Sequence, residues 1–306
     1  CPASRPRPGL DHQAARLRAR LSPTRHGAWG GGRIARVLLT GATGRIGRYI
    51  VTALNRTGCS VVTMGRRPSG DDHIVGDVLA QADWCPGLDP EVSVVHLAGE
   101  AHNTPAAWST NVGAAQALAA AASEAGCRRV IFASSNCVLG HCDQGEWPSW
   151  VPSFVPIDET HPCVPGAPYG NSKMAAEAIL GEWGRRHAVP VISLRLGWVW
   201  REAEISMRRN GLWDDAVHAP NLWSYVHIDD VQRVVSAAVA AEDLPPTASL
   251  FVNAPDTNAD LPTEELVARH YPAARRSAAL DGHAALIRSV NLRDILSIEP
   301  ERSWRR

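Results

Sequence analysis

Tyr169 and Lys173 stand four residues apart in the run YGNSK, a spacing that puts both side chains on one face of a helix. A phenol by itself titrates near ~10, too high to serve as a base at neutral pH. A neighbouring ammonium favours the phenolate and lowers that value. The pair is therefore equipped to exchange a proton with a hydroxyl or carbonyl oxygen. Lys173 is the only lysine in the chain. A serine pair, Ser134-Ser135, closes the apolar run Arg129 to Ala133, where a buried strand would deliver a hydroxyl at its carboxyl end.

A second group of residues supplies an anion site. In RVLLTGATGRIG, Arg36 to Gly47, an apolar strand runs into a glycine turn and then a helix. Gly41 allows the tight turn, Gly44 lets the backbone approach a pyrophosphate, and Gly47 lets the helix pack on the sheet. Thr43, Arg45 and Ile46 complete the turn, whose free N–H groups and helix dipole favour an anion. The next strand, Cys59 to Met64, ends in Gly65-Arg66-Arg67. A site for NAD places a carboxylate here to hold the adenosine ribose. With glycine in that place and two guanidinium groups behind it, a 2′-phosphate is the better partner. NADP(H) is favoured, with NAD(H) as the alternative. Asp77 and Val78 lie where the adenine edge would fall. Leu97, Ala98 and Gly99 end the strand at which the cofactor would cross the sheet.

These residues need a scaffold, and the chain alternates strand and helix throughout. That pattern predicts an α/β fold, a doubly wound parallel sheet of Rossmann type with a small C-terminal substrate-binding cap. The expected division is a mobile extension at 1–32, a dinucleotide-binding domain at 33–199 and 223–254, and the cap at 200–222 and 255–306. Helices are expected from Trp108 to Ala125 and Tyr169 to Arg186, and a strand from Trp223 to Ile228. The stretch from His141 to Pro168 shows no periodicity, carries Trp147, Trp150 and Phe154, and reads as an active-site rim.

Composition narrows the partners. Lys plus Arg and Asp plus Glu both total 31, so no global field favours nucleic acid or an anionic membrane. No apolar run is long enough to span a bilayer, and a cytoplasmic protein is expected. The seven cysteines are odd in number and lack C-x-x-C spacing, which points to buried thiols in a reducing compartment. Cys137 and Cys142, beside His141, lack a second tight pair, so no metal is expected. The expected partner is a small-molecule substrate, with a homodimer left open.

TGATGRIG, the strand-terminal HLAG, ASSNCVLG and YGNSK together resemble the extended short-chain dehydrogenase/reductase superfamily, and within it the NAD-dependent epimerase/dehydratase branch. YVHIDDV and ILSIEPERSW fit that branch too, and FASSN and LRLG are similar to uronate dehydrogenases. The resemblance implies that Gly41, Gly44 and Gly47 form the cofactor turn and that Asp77 contacts adenine. It implies Ser135, Tyr169 and Lys173 as the catalytic triad, with Asn111 supporting the lysine through the helix backbone and a water. Ser135 is preferred to Ser134 because the family's serine lies five residues before a glycine, here Gly140. Lys173 would also hold a cofactor ribose hydroxyl. Arg195, Arg201, Arg208 and Arg209 are available to meet a carboxylate or pyrophosphate.

The leading expectation is an NAD(P)-dependent oxidoreductase acting on a small polar or sugar-like metabolite. A nucleotide-sugar epimerase with tightly held NAD is the first alternative. A non-catalytic NADP(H)-binding regulator is the second.

Overall fold

The computed structural model describes residues 34–141, 150–211 and 215–306. The Pro- and Arg-rich segment 1–32 and Trp147 lie outside them. The glycine turn joins β1 (Arg36–Thr40) to α1 (Gly47–Arg56), followed by β2 (Ser60–Gly65), β3 (His73–Val75) and the short α2 (Gln81–Trp84). Then come β4 (Val92–His96), α3 (Pro105–Ala125) and β5 (Arg129–Ser135). α3 begins at Pro105, earlier than expected, because a first-turn position needs no N–H donor and proline is pre-set for it. After β6 (Phe154–Val155) the chain forms α4 (Pro168–His187), β7 (Val191–Leu196), β8 (Trp198–Trp200) and α5 (Glu202–Arg209). It ends with β9 (Tyr225–His227), α6 (Ile228–Ala240), β10 (Thr247–Val252), α7 (Thr263–His270), β11 (Arg275–Arg276) and α8 (Asn291–Leu296).

Seven strands make one parallel sheet in the order β10-β7-β5-β4-β1-β2-β3. It is a Rossmann-type, doubly wound sheet, as the alternation predicts. The order reverses between β1 and β4, so the crevice for a ligand opens at their carboxyl ends. The apolar runs are continuous because both faces are covered. Leu38, Val94 and Phe132 face Leu118 of α3 and Leu180 of α4. Their neighbours Val37, Leu39, Val95 and Ile131 face Ile50 of α1, Val234 of α6 and Leu292 of α8.

A separate apolar cluster joins the rim to the C-terminal segment, with Val155, Ile157, Trp223, Tyr271 and Ile287 buried together. β6 pairs with β11, and Ile157 bridges to Ile287. The rim lacks periodicity because its pairing partner lies far along the chain, not beside it in sequence. The strand expected at Trp223 to Ile228 is the shorter β9, and it pairs with β8 in a two-stranded sheet apart from the main one. The place beside β7 is taken by β10, and Tyr225 instead packs on Trp200, ring centres 4.5 Å apart.

Cys59, Cys85, Cys127 and Cys163 are free thiols, and burial pushes the Cys127 thiol up to about 12. Cys137 corrects the expectation of thiols throughout: it is disulfide-bonded. No described helix is long and apolar enough to cross a membrane.

Candidate active site

A cavity of about 1150 Å³ opens at the carboxyl ends of β4, β5 and β7. Ser135 is the last residue of β5, and Tyr169 and Lys173 stand one turn apart near the start of α4. All three line the cavity. Burial raises the Tyr169 phenol above its usual value, and a hydrogen bond with the Ser135 side chain opposes that rise. Ser135 Oγ also accepts from the Cys137 backbone N–H at 3.2 Å. Lys173 Nζ donates to the Ala133 carbonyl at 2.8 Å and lies 5.8 Å from the centre of the Tyr169 ring. Burial lowers its pKa to about 8, against the opposing pull of Glu177. A lysine poised there carries a proton at neutral pH and gives it up readily above it.

The two serines that end β5 part company. Ser134 donates to Glu177, a buried carboxylate that also accepts from Arg195 Nε at 3.1 Å, Arg195 Nη2 at 2.8 Å and Ser249 Oγ at 2.9 Å. Ser135 alone of the two is left to Tyr169. Glu177 was not singled out from the sequence, although its position four residues after Lys173 on the same helix was a readable signal.

Asn111 sits in α3 behind the end of β4. Its Oδ1 accepts from the Glu100 N–H at 2.9 Å, and its Nδ2 donates to the Glu100 carbonyl and to Ser172 Oγ, each at 2.9 Å. It therefore ties the loop after β4 to α4 next to the lysine, while Lys173 Nζ itself goes to Ala133. Gly99 makes this close meeting possible, since a Cβ there would lie 2.5 Å from Asn111 Oδ1.

A second cavity, of about 880 Å³, runs along the glycine turn. Gly41, Thr43 and Gly44 form one wall, and Ala98 lies across from them. Arg66, Arg67, Asp77 and Val78 stand towards its outer end. Leu97, Gly99 and Glu100 border both cavities, so the two make one continuous crevice. Gly41 has φ +75°, and a Cβ there would fall 2.7 Å from Ala98 N. Gly47 borders neither cavity. Its missing Cβ would sit 2.0 Å from the Gly41 carbonyl oxygen, so it packs helix against turn.

Arg45 and Ile46 face the first cavity. Arg45 Nη2 donates to Val199 O at 3.1 Å and to Glu204 at 2.6 Å. Burial alone would raise the Glu204 carboxyl, but Arg201 and Arg45 bring it down to about 2. Gly65 leaves open space, with the nearest atom to an added Cβ being the His73 ring at 3.5 Å. Asp77 accepts the Leu79 N–H at 3.0 Å. The crevice suits a dinucleotide: a bare-backbone cradle at the helix start, cations at the adenosine end, and an opening into the cavity of Tyr169.

The four arginines expected to meet an anionic substrate do not border either cavity. Arg195 is held by Glu177, with side chains 11% and 9% exposed. Arg201 pairs with Glu204 at 2.6 Å. Arg208 donates to the Asn258 carbonyl at 2.6 Å, pairs with Asp260 at 2.7 Å and stacks 4.1 Å from the Trp304 ring. Arg209 donates to the Trp304 carbonyl at 2.8 Å. The guanidinium groups of Arg208 and Arg209 tie α5 to the C-terminal segment, because a carboxylate and carbonyls from far along the chain converge on them. The cavity is lined instead by groups that the sequence did not announce, among them Asn136, His141, Trp198 and Asn221.

Residues 37–200 match the model of the NAD dependent epimerase/dehydratase family. The chain is 28% identical to the L-arabinose 1-dehydrogenase (NAD(P)(+)) of Haloferax volcanii, over 74% of this chain and 90% of that protein. It is 32% identical to a UDP-glucose 4-epimerase of Azospirillum brasilense, over 52% of this chain and 48% of that one. It is also 26% identical to the uronate dehydrogenase of Pseudomonas syringae pv. tomato, over 68% and 71%. Among solved structures, a short-chain dehydrogenase/reductase superfamily protein from Agrobacterium tumefaciens with bound NAD superposes with a TM-score of 0.65 at 21% identity, covering 89% of this chain and 94% of that one. The curated relatives of this chain include dehydrogenases and epimerases, and the protein is an enzyme of that kind. With its parallel seven-stranded sheet and its glycine turn, the chain belongs to the NAD-dependent epimerase/dehydratase family.

Proposed function

We propose that the protein is an NAD(P)-dependent dehydrogenase or reductase acting on a hydroxyl or carbonyl carbon of a small sugar-like metabolite. The observation that carries this reading is the Ser135–Tyr169 hydrogen bond, with Lys173 beside it, in a cavity continuous with the glycine-turn crevice. Gly41, Thr43, Gly44, Arg66, Arg67, Asp77 and Val78 would hold the dinucleotide. When bound, its nicotinamide supplies the two-electron acceptor or donor. Ser135 donates a hydrogen bond to the substrate oxygen and fixes it beside Tyr169. Tyr169 takes the proton from a hydroxyl being oxidised, or gives one to a carbonyl being reduced. The Lys173 ammonium favours the phenolate form and offers a donor to a ribose hydroxyl. NADP(H) is the favoured cofactor, on the strength of Gly65, Arg66 and Arg67.

Steady-state assays with free aldoses and each nicotinamide, beside Tyr169→Phe, test this. Turnover should fall by roughly 10²–10⁴-fold in the variant, the usual worth of a positioned acid–base group, with cofactor affinity nearly unchanged. A variant that keeps half its rate overturns the assignment. The epimerase reading is supported by the likeness to UDP-glucose 4-epimerase. Native mass spectrometry separates the two: non-exchanging NAD points to an epimerase, and exchangeable NADP(H) to a dehydrogenase. Bound nicotinamide with no turnover on any sugar would point to the non-catalytic regulator.

A further inference from the structure

Several buried polar atoms of residues lining the cavity have no hydrogen-bond partner among the described residues. Asn136 is 3% exposed and donates through Nδ2 to Asn253 Oδ1 at 2.8 Å. That contact turns its own Oδ1 into a buried acceptor with no partner. Asn221 Oδ1 is likewise buried and unpartnered, as is His141 Nδ1. All three residues line the same cavity as Ser135 and Tyr169. A buried acceptor left empty keeps its desolvation penalty until a donor arrives.

Arg45 and Lys173 are the only Arg or Lys side chains among the described residues that line the cavity. Arg45 donates to Val199 O and to Glu204, which Arg201 shares, and Lys173 donates to Ala133 O. Burial holds His141 down to about 4, and therefore neutral at pH 7, and the rim His102 is paired with Glu100. A carboxylate or pyrophosphate is acceptor-only, so it brings no donor to these buried carboxamide oxygens. A hydroxyl donates and fits them. Trp150 and Trp198 also line the cavity, giving flat apolar faces for the C–H side of a sugar ring.

We propose that the cavity selects an uncharged, unphosphorylated, polyhydroxylated sugar, whose hydroxyls donate to Asn136 and Asn221, over the corresponding sugar acid or nucleotide sugar. This rests on the reading of the cavity as the oxidoreductase active site, and deepens it by naming the substrate class.

The test is equilibrium titration of the full chain, saturated with NADP⁺, using tryptophan fluorescence. Tyr169→Phe serves alongside the wild type so that binding is read without turnover. The probes are three matched sets: L-arabinose, D-galactose and D-glucose; D-galacturonate and D-glucuronate; UDP-galactose and UDP-glucose. At least one free sugar should bind ten times more tightly than its acid or its nucleotide derivative. Asn221→Leu and Asn136→Leu should each weaken that sugar about tenfold while leaving NADP⁺ affinity unchanged. A deoxy sugar lacking the hydroxyl read by Asn221 should bind wild type and Asn221→Leu equally.

Tighter binding of a uronate or a UDP-sugar overturns the proposal. So do asparagine variants that bind every probe as the wild type does, and so does a failure of all free sugars to bind. Oxidation of uronates with no binding of free sugars would sink this proposal and leave the oxidoreductase reading standing. Tight, asparagine-dependent binding of a free sugar with no turnover would do the reverse.

Discussion

The Ser134 hydroxyl donates to the Glu177 carboxylate, so although both serines of the β5 pair line the cavity, the first is tied to the fold and the second is left to Tyr169. Ser134→Ala should lower stability by about 1–3 kcal/mol, the cost of depriving a buried group of its partner, and leave kcat within a few-fold. Ser135→Ala should lower kcat by roughly 10²-fold or more without a comparable loss of stability. Urea melts beside steady-state rates decide, and the opposite pattern would exchange the two roles.

Glu177 is also the carboxylate that holds the Lys173 pKa up against burial. Glu177→Gln should let it fall below about 8, so that the ammonium is lost at a lower pH. The alkaline limb of cofactor affinity should then move towards neutrality. Because Arg195 loses its buried counter-charge, stability should drop by about 3–5 kcal/mol. Lys173→Met should remove the pH dependence and weaken cofactor binding together with turnover. An alkaline limb that stays in place in Glu177→Gln would uncouple the carboxylate from the lysine.

The proposed preference for NADP(H) would rest on exposed groups, Arg66 and Arg67, which line the crevice. Arg66→Ala should weaken NADP(H) by about tenfold or more, with NAD(H) little changed. Gly65→Asp has room to fit and should reverse the preference, since a carboxylate accepts from ribose and repels the phosphate. The effect should shrink with added salt. The comparison is kcat/KM for both cofactors in all three proteins, and equal losses for the two would make these arginines ordinary surface residues.

His96 and His141 predict acid sensitivity. Burial, with Lys173 nearby, lowers His96 to about 3, and burial, with His161 nearby, lowers His141 to about 4, both from 6.5. Below 6.5 the unfolded chain binds protons that the folded one refuses. Their contribution is present above pH 6.5 and is lost as pH falls towards 4 and 3. The slope should approach about 1.4 kcal/mol per pH unit for each histidine. Urea midpoints at pH 7 and pH 5 should differ less in His96→Asn than in wild type, and parallel curves would remove His96 from the account.

What the sequence determined was local. The glycine turn could be read because Gly41 and Gly47 answer to steric demands within a dozen residues, with φ +75° at one and a 2.0 Å approach at the other. Tyr169 and Lys173 could be read because a helix converts a spacing of four into a shared face. The strand–helix alternation is likewise local, and it was enough for the doubly wound sheet.

Tertiary structure decided what depends on partners distant in sequence. Arg195, Arg208 and Arg209 looked available for an anionic substrate, and each is instead held within the fold by a carboxylate or carbonyl further away in sequence, while Arg201 is held locally by Glu204. β9 had the pattern of a main-sheet strand, but β10 occupies the place beside β7. Asn136 carried no signal of its own until Asn253, far along the chain, took its amide and left its buried oxygen without a donor among the described residues. Periodicity and spacing report which face a side chain occupies. They do not report which group from elsewhere in the chain reaches it first.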